Sequence, residues 1–139
     1  MPARTFQLDG PLDLGLTLGP LLRGAGDPAL RVGPGRVIRA TRTVDGPATI
    51  ELSVAHRTLR AEAWGPGAEA ALEAAADSVG LADDRSSFAP GPGLIRELDR
   101  CFHGLRIGRT GAVLEALVPA ILERLEVPAI HTHNLGTRL

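Results

Sequence analysis

The sequence contains no lysine, so all fifteen of its cationic side chains are arginines. Alanine, glycine and proline are frequent as well, which together indicates the codon bias of a GC-rich genome. An arginine at any one position is therefore weak evidence that its forked guanidinium is needed there. The net charge of −1 gives no overall attraction to nucleic acid or to acidic membrane surfaces.

Cysteine and aromatic residues are almost absent. The single Cys101 cannot form a disulfide within the chain, and its apolar surroundings predict a small buried side chain. The few aromatic residues are too scattered to form a platform for stacking bases, so we expect them to pack in the core. They are Phe6, Trp64, Phe88 and Phe102.

Several chemical signatures are missing too. The glycine-rich stretches "GAGDPA" and "GPGRVI" lack the spacing of a phosphate-binding loop and predict turns. His131 and His133 place two imidazoles together, but no third ligand is near, so we expect no metal and no other cofactor. The first residues lack the apolar run of a signal peptide and no window approaches a membrane span, which predicts a cytoplasmic protein.

The 139 residues suffice for one ordinary domain with a real core. Alternating apolar residues predict strands over residues 12–18, 36–42, 48–55 and 57–64, joined by short links typical of antiparallel hairpins. The inward positions of the last two strands are Ala48, Ile50, Leu52, Val54, Leu59, Ala61 and Ala63. A helix over residues 66–80, with an apolar stripe of Ala68, Ala71, Leu72, Ala75 and Val79, would cover the sheet. Residues 1–84 are thus predicted to form an α+β lobe with an antiparallel sheet.

Charged residues on these strands are predicted to face outward. They are Arg39, Glu51, Arg60 and Glu62. Pairing of opposite charges across strands on a solvated face accounts for them, and an arginine-lined DNA surface is the alternative.

A linker and two helices follow the lobe. The segment "LADDRSSFAPGPG" interrupts the alternation and periodicity of apolar residues, and residues 85–93 are predicted to be a linker. A short helix over residues 94–102 would turn Leu94, Ile95, Leu98 and Cys101 inward. A longer helix over residues 111–125 carries a stripe formed by Leu114, Leu117, Val118, Ile121, Leu122 and Leu125. Residues 126–139 show no pattern and are predicted to be a tail.

One stretch, "HGLRIGRTGAVLEALVPAIL" (residues 103–122), resembles the start of the helical domain of the 3-methyladenine DNA glycosylase II family, which repairs alkylated DNA. Upstream, "LDLGLTLGPLLRGAGDPALR", "RATRTVDGPATIELS" and "LRAEAWGPGAEAALEAAADSVGLADD" resemble the small lobe that precedes the catalytic bundle in that family. The resemblance covers residues 12–122 and depends on the order of the segments. It implies a lobe like the TATA-binding protein, followed by the start of an incomplete helical bundle.

The resemblance implies base excision repair of duplex DNA. In that family an aspartate beyond these helices stabilises the sugar cation that forms as a flipped base leaves, and a helix-hairpin-helix grips a phosphate. All eight aspartates of this sequence precede the end of the resemblance, so no catalytic residue can be carried over. At the positions of Arg124 and Leu125 the family has a polar residue and one that wedges into the duplex. The sequence departs from the pattern at this place, and an apolar residue of the helix face is the alternative for Leu125.

We therefore expect a truncated relative of a DNA glycosylase, inactive alone and weak in binding DNA, that self-associates through the exposed helix over residues 111–125. Two alternatives are a non-enzymatic binding or interaction module that reuses the lobe, and a bundle completed by a separate chain.

Overall fold

A five-stranded antiparallel sheet forms the centre of the protein. The computed structural model describes residues 2–136, and it describes side chains as far as Arg124. The strands are β1 (Ala3–Gln7), β2 (Leu30–Gly33), β3 (Arg36–Thr43), β4 (Gly46–Ala55) and β5 (Thr58–Trp64). They lie in the order β1-β5-β4-β3-β2, and every neighbouring pair is antiparallel. The α+β class predicted from the sequence is confirmed at this level.

Tight hairpins join β2 to β5 in succession. His56 and Arg57 both have positive φ angles, 48° and 63°, between the paired ends of β4 and β5. Two residues of this kind match the right-handed twist of the strands that they connect, although neither is glycine. The three predicted strands at residues 36–42, 48–55 and 57–64 are confirmed, and so are the hairpins between them.

The hydrophobic core lies on one face of the sheet. The predicted inward residues of β4 and β5 are buried, apart from Val54, which is partly buried against the core. Helices α2 (Ala68–Glu73) and α3 (Ala75–Ser78), with Val79 directly after them, contribute the predicted stripe, and all five of its residues are buried. Their small side chains allow the helices to lie close to the sheet. Gly80 has a φ of +68° directly after the last helical turn, as expected for a residue that ends a helix.

The predicted strand over residues 12–18 is wrong, because this segment forms helix α1 (Leu14–Leu18) and a 3-10 turn (Gly19–Leu21). The Asp13 carboxylate accepts a hydrogen bond from the Leu16 backbone N–H at 2.9 Å and caps the helix. Leu14 and Leu18, four residues apart, both face the core. Leucines at every second position satisfy the helical spacing as well as the strand spacing.

Two edge strands, β1 and β2, were not predicted. Arg4 and Phe6 of β1 lie opposite Ala61 and Leu59 of β5, on the core side of the sheet. In β2 only four residues stand between two turns, which is too short for a clear alternation. Both strands are short, as is common at sheet edges.

Helices α4 (Leu94–Cys101) and α5 (Val113–Gly136) follow the lobe. The predicted inward face of α4 is exposed, since Leu94, Ile95 and Leu98 all remain accessible to solvent. Cys101, predicted to be buried, is exposed as well. None of these four residues belongs to the core that the sheet and α1–α3 form. Among the described residues, no helix is long and apolar enough to cross a membrane.

Candidate functional site

The residues predicted to contact DNA lie on α5. Arg124 is exposed and directly follows Glu123, which is ion-paired with Arg23 at 2.9 Å. The side chain of Leu125 lies outside the described residues, as do those of His131 and His133. The placement of Arg124 in a DNA interface therefore stays a prediction.

Helices α4 and α5 each carry exposed apolar side chains. Those on α4 and just after it are Leu94, Ile95, Leu98 and Phe102, and those on α5 are Val113, Leu114, Leu117, Val118, Ile121 and Leu122. Their exposed fractions range from 42% to 73%. So many large exposed apolar side chains on two helices indicate surfaces that a partner or further helices cover. We call this set the apolar helix face.

Helix α5 is fastened to the sheet through Glu115 at its first turn. One carboxylate oxygen, Oε2, accepts a hydrogen bond from Nη2 of Arg39 at 2.8 Å. The other, Oε1, accepts from the backbone N–H of Arg42 at 2.6 Å. The Thr41 hydroxyl lies 2.9 Å from Oε1 and 3.0 Å from Oε2. All of these donors lie within residues 39–42 of β3.

The prediction that Arg39 faces solvent is wrong. It pairs with Ile50 of β4, which points into the core, and its side chain is only 15% exposed. A cation on the core side of a sheet requires an anionic partner, since an unpaired buried charge is costly. Glu115 supplies that partner. The sequence predicted no role for Glu115, and it placed Arg39 only in the alternative of an arginine-lined DNA surface.

Arg23 makes a second contact with α5, both beside Glu115 and about two turns further along the helix. Arg23 donates from Nη1 to Glu123 at 2.9 Å and from Nη2 to the Ala116 carbonyl oxygen at 3.0 Å. The helix has a weak point here, because Pro119 lacks a backbone N–H. The carbonyl oxygen of Glu115, the residue before Ala116, therefore receives no hydrogen bond from the residue four positions later. A cavity of about 360 Å³ separates α5 from the sheet and from the loop around Asp27. The helix is thus joined to the lobe mainly by charged and polar contacts.

The turn before α5 is anchored by Arg106. Its side chain is 2% exposed and donates to Asp9 at 2.9 Å and to the Pro11 carbonyl oxygen at 3.3 Å. The hydrogen bond from Arg106, and then its positive charge, hold the pKa of the Asp9 carboxyl below its usual value. Nη1 of Arg106 is buried without an acceptor among the described residues. The sequence signal for this anchor was its place within "HGLRIG", the turn that carries the resemblance.

The outer face of the sheet carries paired charges, and Glu51, Arg60 and Glu62 lie on this face as predicted. Arg36 on β3 donates two hydrogen bonds, both 2.6 Å long, to Glu51 on β4. These bonds, before any other influence, lower the pKa of the Glu51 carboxyl. Arg60 pairs with Glu62 on its own strand at 2.7 Å. Cross-strand pairing on a solvated face therefore accounts for Glu51, and a same-strand pair accounts for Arg60.

Within the part of the chain that the structure describes, no three His, Cys, Asp or Glu side chains come together as metal ligands. Comparison of the chain with family models, with curated proteins and with solved structures gave no match.

Proposed function

We propose that the chain is a DNA-repair protein related to the 3-methyladenine DNA glycosylases, and that it provides their small lobe and the first helices of their bundle. Support comes from the order of the resembling segments: opening segment, sheet, covering helix, linker, buried-arginine turn and amphipathic helix. In this proposal the sheet with α1–α3 corresponds to the TATA-binding-protein-like lobe. Helices α4 and α5 correspond to the beginning of the bundle.

The observation that carries the proposal is the apolar helix face. A helix with an apolar stripe is stabilised in proteins mainly by packing that stripe against neighbours. The described lobe leaves the stripes of both α4 and α5 exposed, with α5 held instead by Glu115 and Arg23. Further bundle helices, as the family has, are the natural cover for such a surface.

Excision itself is not expected of these residues alone. The last aspartate in the sequence is Asp99, and it precedes the region in which the family carries its catalytic carboxylate. The resemblance implies contacts with duplex DNA only at Arg124 and Leu125, and the net charge is −1. Binding no tighter than that of nonspecific contacts, roughly 10⁻⁴–10⁻⁶ M at physiological salt, follows.

A chimera tests the relationship. Residues 1–122 replace the lobe and first helices of an active 3-methyladenine DNA glycosylase, and release of bases from alkylated duplex DNA is measured. We expect release above a buffer blank, because the apolar helix face would pack in the bundle that it resembles. The matched control is the same chimera with Leu117→Glu and Ile121→Glu, which we expect to be inactive because two charges would enter the bundle core.

A chimera that folds but releases no base, or that does not fold, contradicts the proposal. That outcome favours the second candidate, a module whose apolar helix face docks on a separate partner chain. The exposure of that face is the observation that favours this candidate.

A further inference from the structure

One edge of β3 is only partly covered by β2. Strand β2 pairs with β3 only between Arg36 and Arg39, and the Ala40 N–H still reaches the Ala29 carbonyl oxygen at 2.7 Å. Successive N–H groups of a strand point to opposite sides, so the Arg42 N–H lies on the same side as that of Ala40. No strand of the described chain accompanies β3 there. The Arg42 N–H would be an open edge donor, but a carboxylate oxygen of Glu115 occupies the place of a strand carbonyl.

The side chains around this donor suit a carboxylate in particular. Arg39 brings a guanidinium that is mostly buried on the core side of the sheet, and Thr41 brings a hydroxyl within 3.0 Å of both oxygens. Both oxygens of Glu115 are therefore bound, one to the backbone and one to a cation. Hydrogen bonds of this charge-assisted kind are about twice as strong as neutral ones. An amide would offer only one acceptor oxygen, and its NH₂ group would meet a donor.

From this geometry we propose that the end of β3 is a carboxylate-binding site, formed by the Arg39 guanidinium, the Thr41 hydroxyl and the Arg42 N–H. Its ligand within the chain is Glu115, and this contact both closes the strand edge and positions the first turn of α5. The site belongs to the sheet, so it persists when Glu115 is removed and then accepts a free carboxylate.

Glu123 provides the contrast. It binds one arginine, Arg23, and both side chains of that pair are substantially exposed. Surface ion pairs of this type contribute little to stability. The pair therefore supports α5 without closing a strand edge, which makes Glu123 the matched control.

Hydrogen exchange of the Arg42 amide, followed by NMR on the full chain, tests the proposal. We expect Glu115→Ala to accelerate this exchange roughly tenfold or more, since a charge-assisted bond is lost. Glu123→Ala should leave the rate unchanged. Acetate added to the Glu115→Ala variant should slow the exchange again, whereas acetamide, or sodium chloride at the same ionic strength, should not. Addition of Arg39→Ala to Glu115→Ala should abolish the effect of acetate.

An unchanged Arg42 rate in the Glu115→Ala variant overturns the proposal, and so does equal slowing by acetate and acetamide. Acceleration that acetate does not reverse overturns it as well, because it reduces Glu115 to a packing contact. If Glu115→Ala does not fold, Glu115→Gln serves instead, and a rate as slow as that of the wild type would then contradict the need for a carboxylate.

Discussion

Incubated with alkylated duplex DNA, the purified 139-residue chain is expected to release no free purine above a buffer blank. The leaving of a base creates positive charge on the sugar, and a positioned carboxylate must stabilise it. In this chain Glu115 is bound by Arg39 and Glu123 is paired with Arg23, and every aspartate precedes the region in which the glycosylases carry their catalytic aspartate. Release is measured by chromatography of the supernatant, with an active 3-methyladenine DNA glycosylase as the positive control.

Turnover by this chain would contradict that account. If turnover is then lost on Glu123→Gln but not on Glu62→Gln, the catalytic carboxylate lies on α5. Glu62 is a suitable control because it is also paired with an arginine but lies on the outer face of the sheet.

The second large effect concerns the apolar helix face. Burying one leucine or isoleucine side chain contributes about 1.5–3 kcal/mol, so several of them in water favour any association that covers them. We expect the chain to elute from size-exclusion chromatography as dimers or larger species and to bind a dye for exposed apolar surface. The double change Leu117→Glu and Ile121→Glu should shift it to the monomer and leave the sheet lobe folded.

Val44→Glu is the matched control for this experiment. Val44 is 97% exposed, but it lies in the turn between β3 and β4 and is not a member of the apolar helix face. This change should therefore leave the elution position unaltered. A wild-type chain that is a clean monomer silent to the dye, and that unfolds when Leu117 and Ile121 are changed, would show that α5 is already covered within these 139 residues.

The parts of the fold that could be predicted are those in which one pattern admits one structure. Ala48, Ile50 and Leu52 alternate within a segment rich in β-branched residues, which favours a strand, and the short link at His56 places the next strand beside it. The prediction for the segment around Leu14 and Leu18 was wrong because its spacing fits a helix as well as a strand. The capping hydrogen bond of Asp13 favours the helix. For α4 the pattern identified the apolar face correctly, but it did not show which residues would bury that face. Cys101 was expected to be buried for that reason and is exposed.

The fastening of α5 could not be predicted from local patterns. Arg39 and Glu115 are separated by 76 positions in the sequence, and neither position is unusual by itself. Arg39 also follows Ile38, so an inward arginine and an outward isoleucine contradict the usual pattern. Only the register, which pairs Arg39 with Ile50, places the guanidinium on the core side. Arg106 is similar, because Asp9, its ion-pair partner, lies 97 positions away in the sequence.

The most direct test of the proposed relationship is the nucleotide sequence of the gene from codon 123 onward, translated in all three frames. The resemblance to the glycosylases stops after Leu122, while the sequence continues without it. We predict that one shifted frame resumes the family pattern, with a small polar run, a helix-hairpin-helix containing a glycine-rich turn, and an aspartate after it. Three frames without a hairpin and a following aspartate would contradict the assignment of this chain to the glycosylases.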